Sequence, residues 1–455
     1  MIISQSLPGI KRFLKSLRWN EARHLMLVRI ITAFIMHCGK MSASAAAEAV
    51  RTLGRHRANV ARFLSRRRSI DGPALNRLQR RVLSAELFHK GEWFFLVDQT
   101  FTGHQGPHTE NTFSRGNYRP RPKQSARHQK KTARHSCHCF VMGLLITPRG
   151  VRIPFFKSYR TDAYCHRLGL PYRTQTELAA ELIAELPLPP HLHVTVLGDT
   201  AFDAKTIRAV CAERGYGWIV PINPERVLEG PPGQRPKVRS LVGGLQSSNL
   251  VPVRLVPGKG DYALHQRVAR CRQESRTQAR TFYVHGERLR VRSVGDVLVV
   301  FSTTEKPADN QVKIQKLLMT NYTGWSPRRV VQCYDVRWQI ELLFKELKST
   351  LGLDHYRFRS FQRVERFVTA CLATFLYLEW YRQQQLRTRR LTCQQRQHCS
   401  SQRTYGLCRM VRQQAELNDL RHIAKACRTP TGQRRLRRQL EQAIPLEFRT
   451  KPTKC

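Results

Sequence analysis

Between residues 92 and 223 short apolar runs alternate with amphipathic segments, and this order limits the possible fold more than any other feature of the chain. Runs rich in aromatic and β-branched residues predict buried strands, which are EWFFLVD (92–98), HCFVMGLLIT (138–147), VRIPFFKSY (151–159), HVTVLGD (193–199) and YGWIVPIN (216–223). Periodic segments at 174–187 and 204–215 predict a helix before each of the last two strands. The order β-β-β-α-β-α-β predicts a layered α/β domain.

Two of these predicted strands end in an aspartate, Asp98 and Asp199. In an open α/β sheet, ligands collect beyond the carboxyl ends of the strands. If the two strands are parallel neighbours, the carboxylates come close together, which is electrostatically costly without a cation. Taken singly, each aspartate is more simply interpreted as a turn residue at the end of its strand, and Asp203 is an alternative to Asp199 because it follows only four residues later.

A third candidate carboxylate lies in YDVRWQIELLFKELK (334–348), which predicts a continuous helix. At about 100° per residue, an apolar stripe and a polar stripe lie on opposite sides. The apolar stripe contains Val336, Ile340, Leu343 and Leu347, and the polar stripe contains Tyr334, Arg337, Glu341, Lys345 and Lys348. The simplest interpretation is an exposed face with i,i+4 ion pairs. Alternatively, Glu341 completes an oxygen-rich site with the two aspartates, suited to two Mg²⁺ ions about 3.5–4 Å apart.

The charge balance points to a polyanionic partner. Lys and Arg number 79 against 32 Asp and Glu, a formal net charge of +47 spread over nearly the whole chain. Such an excess favours nucleic acid as the partner. The longest apolar run, at 367–381, is shorter than the roughly 18–20 residues of a membrane span and predicts a buried helix instead. Thirteen scattered cysteines show no disulfide framework, which favours a cytoplasmic protein.

The spacing Y-(2)-R-(3)-E-(6)-K, formed by Tyr334, Arg337, Glu341 and Lys348, resembles the signature of a group of DDE transposases encoded by bacterial insertion sequences. The resemblance extends from about residue 90 to 380 and includes the strand–Asp segments LVDQT and LGDTAFD. It implies a ribonuclease H-like fold in which Asp98, Asp199 and Glu341 are catalytic and bind two Mg²⁺ ions, with Mn²⁺ as a substitute. On this basis Tyr334, Arg337 and Lys348 are expected to bind DNA. Trp338, as a second flat face for a displaced base, and Lys345, as a further cation of the polar stripe, are expected to bind DNA as well.

The predicted fold class is therefore α/β, with a ribonuclease H-like catalytic domain that a β-rich insertion interrupts. Composition places a helical DNA-binding region at 1–90, the first part of the core at 91–223, the insertion at 224–320, the second part at 321–385 and a basic helical region at 386–455. Within the first region, 41–54 and 58–68 predict two helices that could form a helix-turn-helix. The insertion begins with Pro/Gly-rich sequence and is expected not to continue the sheet.

Together these features predict a bacterial, nucleoid-associated DNA transposase that cleaves strands at insertion-sequence ends and transfers them into target DNA. The resemblance implies a homodimer on double-stranded DNA. Members of the group also form a hairpin at the element end, and this route stays open here. Two alternatives remain, a ribonuclease H-like nuclease that only hydrolyses and a catalytically inactive DNA-binding relative.

Overall fold

The computed structural model describes residues 7–37, 56–66, 69–104, 108–115, 135–231, 234–255, 280–307, 312–387 and 392–443. The chain divides into two compact units. The sheet unit comprises Glu86–Phe101 and Cys139–Leu343, and the helical unit comprises Met1–Ala85, Thr102–His138 and Phe344–Cys455.

The described residues contain ten strands and fourteen α-helices. The strands are β1 (Trp93–His104), β2 (Phe113–Arg115), β3 (His135–Ile146), β4 (Arg152–Ser158), β5 (Val194–Leu197), β6 (Gly217–Pro221), β7 (Val251–Leu255), β8 (Arg280–Val291), β9 (Gly295–Thr303) and β10 (Lys316–Thr320). The helices are α1 (Ile10–Leu14), α2 (Glu21–His37), α3 (His56–Ser65), α4 (Gly72–Leu83), α5 (Asp162–Leu168), α6 (Gln175–Ala184), α7 (Lys205–Glu213), α8 (Val238–Gly244), α9 (Pro327–Asp335), α10 (Trp338–Ser349), α11 (Phe361–Arg387), α12 (Cys393–Ser401), α13 (Thr404–Ala426) and α14 (Pro430–Ala443).

The α/β prediction for residues 92–223 is confirmed in the sheet unit. All five predicted strands are present as β1, β3, β4, β5 and β6, and the two predicted helices are α6 and α7. In the sheet, β3, β1, β5 and β6 are successive neighbours, and β4 pairs with β3 as an antiparallel hairpin. Strand β5 is parallel to both β1 and β6. Helix α6 starts with a capping box between Thr174 and Glu177, which satisfies amide groups at the helix N-terminus.

The strands after residue 224 extend this same sheet, so the expectation that they would not continue it was wrong. Strand β10 pairs antiparallel with β6, and β9, β8 and β7 follow in order. Val227, which lies just before the Pro/Gly-rich segment, and Lys237, its last residue, form an isolated antiparallel bridge. The residues from Val297 to Phe301 in β9 are all buried, and a strand buried on both faces suits the interior of a sheet.

The helical unit is built around α11, which contains the apolar segment 367–381 and buries nearly all of it, as predicted. Helix α11 packs against α2 and α4. The Phe34 and Phe367 rings lie 5.3 Å apart, and the Gln383 side chain donates to the Val82 carbonyl. None of the described helices combines the length and the apolar character that crossing a membrane would require.

Some predictions concern parts of the chain that the structure does not describe. Helix α3 overlaps the basic segment predicted at 58–68 and begins two residues before it, whereas the helix predicted at 41–54 lies outside the described residues. The helix-turn-helix therefore stays a prediction. The C-terminal region is helical as far as Ala443. The boundaries predicted for the five regions of the chain also stay predictions.

Candidate active site

The register of the parallel strands β1 and β5 places Asp98 level with Asp199. The strands pair from Trp93 with Val194 to Leu96 with Leu197, and two further residues along each chain lead to the two aspartates. The parallel arrangement on which their proximity depended is therefore present. Asp98 does not end its strand, however, because β1 continues to His104. Only Asp199, which follows Gly198 beyond the end of β5, matches the strand-end expectation.

The guanidinium of Arg337 brings the three predicted carboxylates together. Its Nη2 atom lies 3.2 Å from Asp98 Oδ2 and 3.9 Å from Asp199 Oδ2, and its Nη1 atom lies 2.8 Å from Glu341 Oε1. We call Asp98, Asp199, Glu341 and Arg337 the carboxylate cluster. Residues from three distant parts of the sequence thus converge on one group.

Backbone amides orient the two aspartates. The Gln99 N–H donates to Asp98 Oδ1 at 2.7 Å, and the Ala201 N–H donates to Asp199 Oδ1 at 2.9 Å. The second contact caps the short 3₁₀ turn Thr200–Phe202. Because one oxygen of each aspartate is held in this way, the other oxygen of each is directed at Arg337.

The electrostatic environment of the cluster favours added positive charge. Asp98 is only 8% exposed, and its burial raises the pKa of this carboxyl to about 6. The charges of Asp199 and Glu341 also raise the pKa, whereas the Gln99 amide and the Arg337 guanidinium lower it. The Arg337 Nε atom is buried and has no acceptor among the described residues. The cluster therefore holds three carboxylates around one guanidinium, whose Nε–H lacks a hydrogen-bond acceptor among the described residues.

The expected continuous helix over 334–348 is interrupted. Helix α9 ends at Asp335 and α10 begins at Trp338, so Arg337 lies in the link. Across the link, the Arg337 N–H donates to the Tyr334 carbonyl at 3.0 Å and the Ile340 N–H donates to the Arg337 carbonyl at 3.2 Å. These are i→i−3 contacts, which tighten the turn relative to an α-helix.

The helical stripes predicted for this segment are partly correct. The four residues of the apolar stripe are buried, namely Val336, Ile340, Leu343 and Leu347. Tyr334 was expected on the polar stripe, but it is buried as well. Its hydroxyl donates to the Gly198 carbonyl at 3.2 Å, and burial raises its pKa. Tyr334 thus contacts the residue that precedes Asp199.

The other predicted DNA-binding residues differ in exposure. Trp338 is 46% exposed at the start of α10. Lys345 is exposed and Lys348 is half-buried in the second half of the same helix. In this conformation Trp338, unlike Tyr334, presents an accessible aromatic face.

Asp203, the alternative to Asp199, has other partners. Arg208 Nη1 donates to Asp203 Oδ1, and Arg226 Nη2 donates to Asp203 Oδ2. The Asp203 side chain is 5% exposed. We call these three residues the Asp203 site. Both oxygens of Asp203 are therefore occupied by arginines that lie outside the carboxylate cluster.

A cavity of about 380 Å³ adjoins the carboxylate cluster. Its walls include Arg337, Trp338 and Glu341 from the helical side and Arg280 and Lys316 from strands β8 and β10. The sequence interpretation missed the last two residues, because it assigned the strands after residue 224 to a separate region. Arg280 and Lys316 are each the first residue of a strand, and both strands belong to the sheet that carries Asp98 and Asp199. This position is the feature that could have indicated the two residues.

The carboxylate cluster has the donor chemistry of a divalent-cation site. Among the described residues, no group of three or more His, Cys, Asp or Glu side chains is arranged as it stands to hold a metal ion. The Arg337 guanidinium lies between the carboxylates that would form such a group. Three carboxylates, two of them oriented by backbone amides, nevertheless suit hard cations such as Mg²⁺. The residues present therefore fit the metal ions that the resemblance implies.

Comparison with known proteins identifies one family. The family model described as "Transposase DDE domain" matches residues 89–377, which is more than half of the chain and includes all three carboxylates. No match was found among curated proteins.

Proposed function

The chain belongs to the transposase DDE-domain family, and from this membership we propose that it is a DNA transposase that cuts strands at insertion-sequence ends and joins them to target DNA. The observation that carries the proposal is the convergence of Asp98, Asp199 and Glu341 on one guanidinium, within 4 Å of each carboxylate. Residues so distant in sequence have no evident structural reason to gather three like charges in one place.

In this proposal Asp98, Asp199 and Glu341 are the catalytic residues and the ligands of two Mg²⁺ ions, for which Mn²⁺ substitutes. Bound there, the two ions would supply the charge stabilisation that an in-line phosphoryl displacement requires at the attacking and leaving oxygens. The amides of Gln99 and Ala201 fix the orientation of the aspartates. Such preorganisation matters because positioning and charge stabilisation carry this class of reaction.

The residues around the cluster are proposed to handle DNA. Arg337 has the planar donor geometry to grip a phosphate with two hydrogen bonds, whereas Lys345 and Lys348 act as point charges. The exposed ring of Trp338 offers a face on which a displaced base can stack. Tyr334 belongs to the same signature and is proposed as a DNA contact on that basis alone.

The finer family assignments rest on matching features. The spacing of Tyr334, Arg337, Glu341 and Lys348 supports membership of the Y-(2)-R-(3)-E-(6)-K group. Neighbouring parallel strands that bear the two aspartates support a ribonuclease H-like core. We retain 224–320 as an insertion into this core and 1–90 as the region that recognises the element ends. The net charge of +47 supports double-stranded DNA as the partner. On the basis of the family resemblance, the protein is proposed to bind this DNA as a homodimer, in the bacterial cytoplasm near the nucleoid.

The test is a cleavage and joining assay with purified protein. Labelled DNA carrying the ends of the encoding element is incubated with Mg²⁺ or with a chelator, and a supercoiled plasmid serves as the target. We expect Mg²⁺-dependent cleavage that leaves a 3′-OH, followed by joining to the plasmid. Cleavage without joining would favour the hydrolytic nuclease instead.

A pair of variants separates catalysis from binding. Glu341→Gln should lose cleavage by about a thousandfold and keep DNA affinity, because it removes a metal ligand and leaves the surrounding cations in place. Glu213→Gln, an exposed carboxylate at the end of α7, is the matched control and should cleave normally. If Glu341→Gln and the wild type behave alike in both assays, the inactive DNA-binding relative is the better description.

A further inference from the structure

Arg337 is not free to bind phosphate in the conformation that the structure describes. Both of its terminal nitrogens lie within 4 Å of carboxylates, at 2.8 Å from Glu341 and 3.2 Å from Asp98. The signature arginine is thus neutralised by the cluster that it contacts. A phosphate that enters the cavity in this conformation therefore has to contact cations other than Arg337.

Lys316 is such a cation. It is the first residue of β10, it is exposed, and it lines the same cavity as Arg337 and Glu341. None of the ion pairs within 4.0 Å in the described part of the chain involves Lys316. Its ammonium lies 4.7 Å from the centre of the Tyr334 ring, a contact that positions the charge without neutralising it.

Arg280 adds a second positive charge to the same wall. It is the first residue of β8, and its side chain is 43% exposed. Among the described residues its ion-pair partner is Asp335, at 3.9 Å, which is at the outer limit of an ion pair. Exposed ion pairs of this kind contribute little energy, so the guanidinium can exchange its partner for a stronger anion. Phosphate is such an anion, because arginine can donate two parallel hydrogen bonds to it.

We propose that Lys316 and Arg280 form a phosphate-binding site in this cavity, which takes a phosphodiester of the DNA strand that enters the carboxylate cluster. The choice of DNA as the source of the phosphate rests on the proposed function. Free inorganic phosphate or a nucleotide offers the same chemistry, so the experiment has to distinguish these sources. In this arrangement strands β8 and β10 contribute directly to substrate positioning, beyond the residues of the signature.

The first test measures the reactivity of Lys316 in the wild-type protein without Mg²⁺. Amine acylation is followed by peptide mass spectrometry, with duplex DNA carrying an element end, with inorganic phosphate or with a nucleoside triphosphate. We expect DNA to slow acylation of Lys316 several-fold. Lys313 is exposed, lies three residues earlier and does not line the cavity, so its rate should change little.

The outcomes of this test are distinct. Protection by inorganic phosphate or the nucleotide but not by DNA would overturn DNA as the source. An unchanged Lys316 rate, or equal slowing of Lys316 and Lys313, would overturn the site itself. Because no cleavage is needed, DNA-dependent protection can be found even if the protein fails to transpose, and cleavage can occur without protection. Failure of the site and failure of the proposed function are therefore separable.

The second test uses the salt dependence of DNA binding. Loss of one phosphate contact lowers the slope of log K against log salt by about 0.9 for duplex DNA. Lys316→Gln should show this decrease, Lys316→Arg should restore most of the slope, and Lys313→Gln should resemble the wild type. Equal slopes for Lys316→Gln and Lys313→Gln would contradict the proposal.

Discussion

Asp199 and Asp203 lie four residues apart in the sheet unit but belong to two acidic sites of opposite charge balance. At the Asp203 site one carboxylate faces two arginines, Arg208 and Arg226. At the carboxylate cluster three carboxylates face one arginine among the ion pairs of the described residues. The first site has an excess of positive charge and no free carboxylate oxygen, whereas the second has an excess of negative charge.

This difference separates a structural acid from a candidate catalytic one. Gathering like charges is unfavourable unless a cation compensates them, so a cluster of three acids with one arginine can accept further positive charge. A single buried carboxylate between two arginines cannot. The aspartates are chemically identical, and the number of cations within reach decides which role each can play.

The largest expected effect comes from changing Asp199, one of the three acids of the carboxylate cluster. Asp199→Asn should reduce DNA cleavage by about a thousandfold, because it removes a proposed metal ligand. It should alter the free energy of unfolding by no more than about 0.5 kcal/mol, since the Asp199 side chain is 35% exposed and its loss relieves repulsion. Cleavage assays and urea unfolding measure the two quantities. A large loss of stability with retained cleavage would reverse the roles assigned above.

The reciprocal change should affect stability instead. Asp203→Asn should lower the free energy of unfolding by about 3 kcal/mol, because two partly buried arginines lose their carboxylate. Cleavage per folded molecule, measured well below the melting temperature, should stay within a few-fold of the wild type. If Asp203→Asn abolishes cleavage in a stably folded protein, Asp203 is the metal ligand and Asp199 is not.

A third prediction concerns the arginine that the cluster retains. Arg337→Gln should melt at a lower temperature than the wild type without divalent ions, because three carboxylates then lack their guanidinium. Mg²⁺ should stabilise the variant more than the wild type, by up to about 2.7 kcal/mol at a hundredfold excess over its dissociation constant. Thermal unfolding with and without Mg²⁺ measures this difference.

Arg329→Gln is the matched control for this prediction, because Arg329 pairs with Glu92 outside the cluster. It should respond to Mg²⁺ as the wild type does. An equal Mg²⁺ response in Arg337→Gln and the wild type would show that the guanidinium and the metal ions do not compete for the carboxylates.

The smallest expected effect concerns the hydrogen bond between Tyr334 and Gly198, the residue that precedes Asp199. Tyr334→Phe removes the hydroxyl that donates to the Gly198 carbonyl, which should lower the free energy of unfolding by about 1 kcal/mol. We expect slower cleavage with unchanged DNA affinity, since Asp199 loses positional support. Fluorescence anisotropy with labelled DNA provides the affinity. A loss of affinity with unchanged cleavage of bound DNA would favour the direct DNA contact inferred from the signature.

The local features of the sheet unit could be predicted from the sequence. Strands β1, β3, β4, β5 and β6 correspond to apolar runs that turn residues delimit, and Asp98 and Asp199 stand out at the ends of two of these runs. Their closeness follows once the strands are parallel neighbours. The strands and the aspartates at the ends of their apolar runs depend on residues near one another in the chain.

The remaining features depend on residues far apart. Arg226 reaches Asp203 from 23 positions downstream, and β10 pairs with β6 about a hundred residues later. The break between α9 and α10 has no proline or glycine to announce it, and helical periodicity alone therefore placed Tyr334 on the wrong face. Lys316 and Arg280 gain their significance only from the sheet that carries them.

The pairing of β6 with β10 also bears on how this protein can be altered. The Ile222 N–H donates to the Leu317 carbonyl at 3.1 Å, and the chain between them forms β7, β8 and β9 of the same sheet, with β9 paired to β10 from Lys316 to Thr320. Removal of this segment would therefore leave β10 as an unpaired sheet edge, which is prone to aggregation, and would take Arg280 away from the cavity beside Glu341.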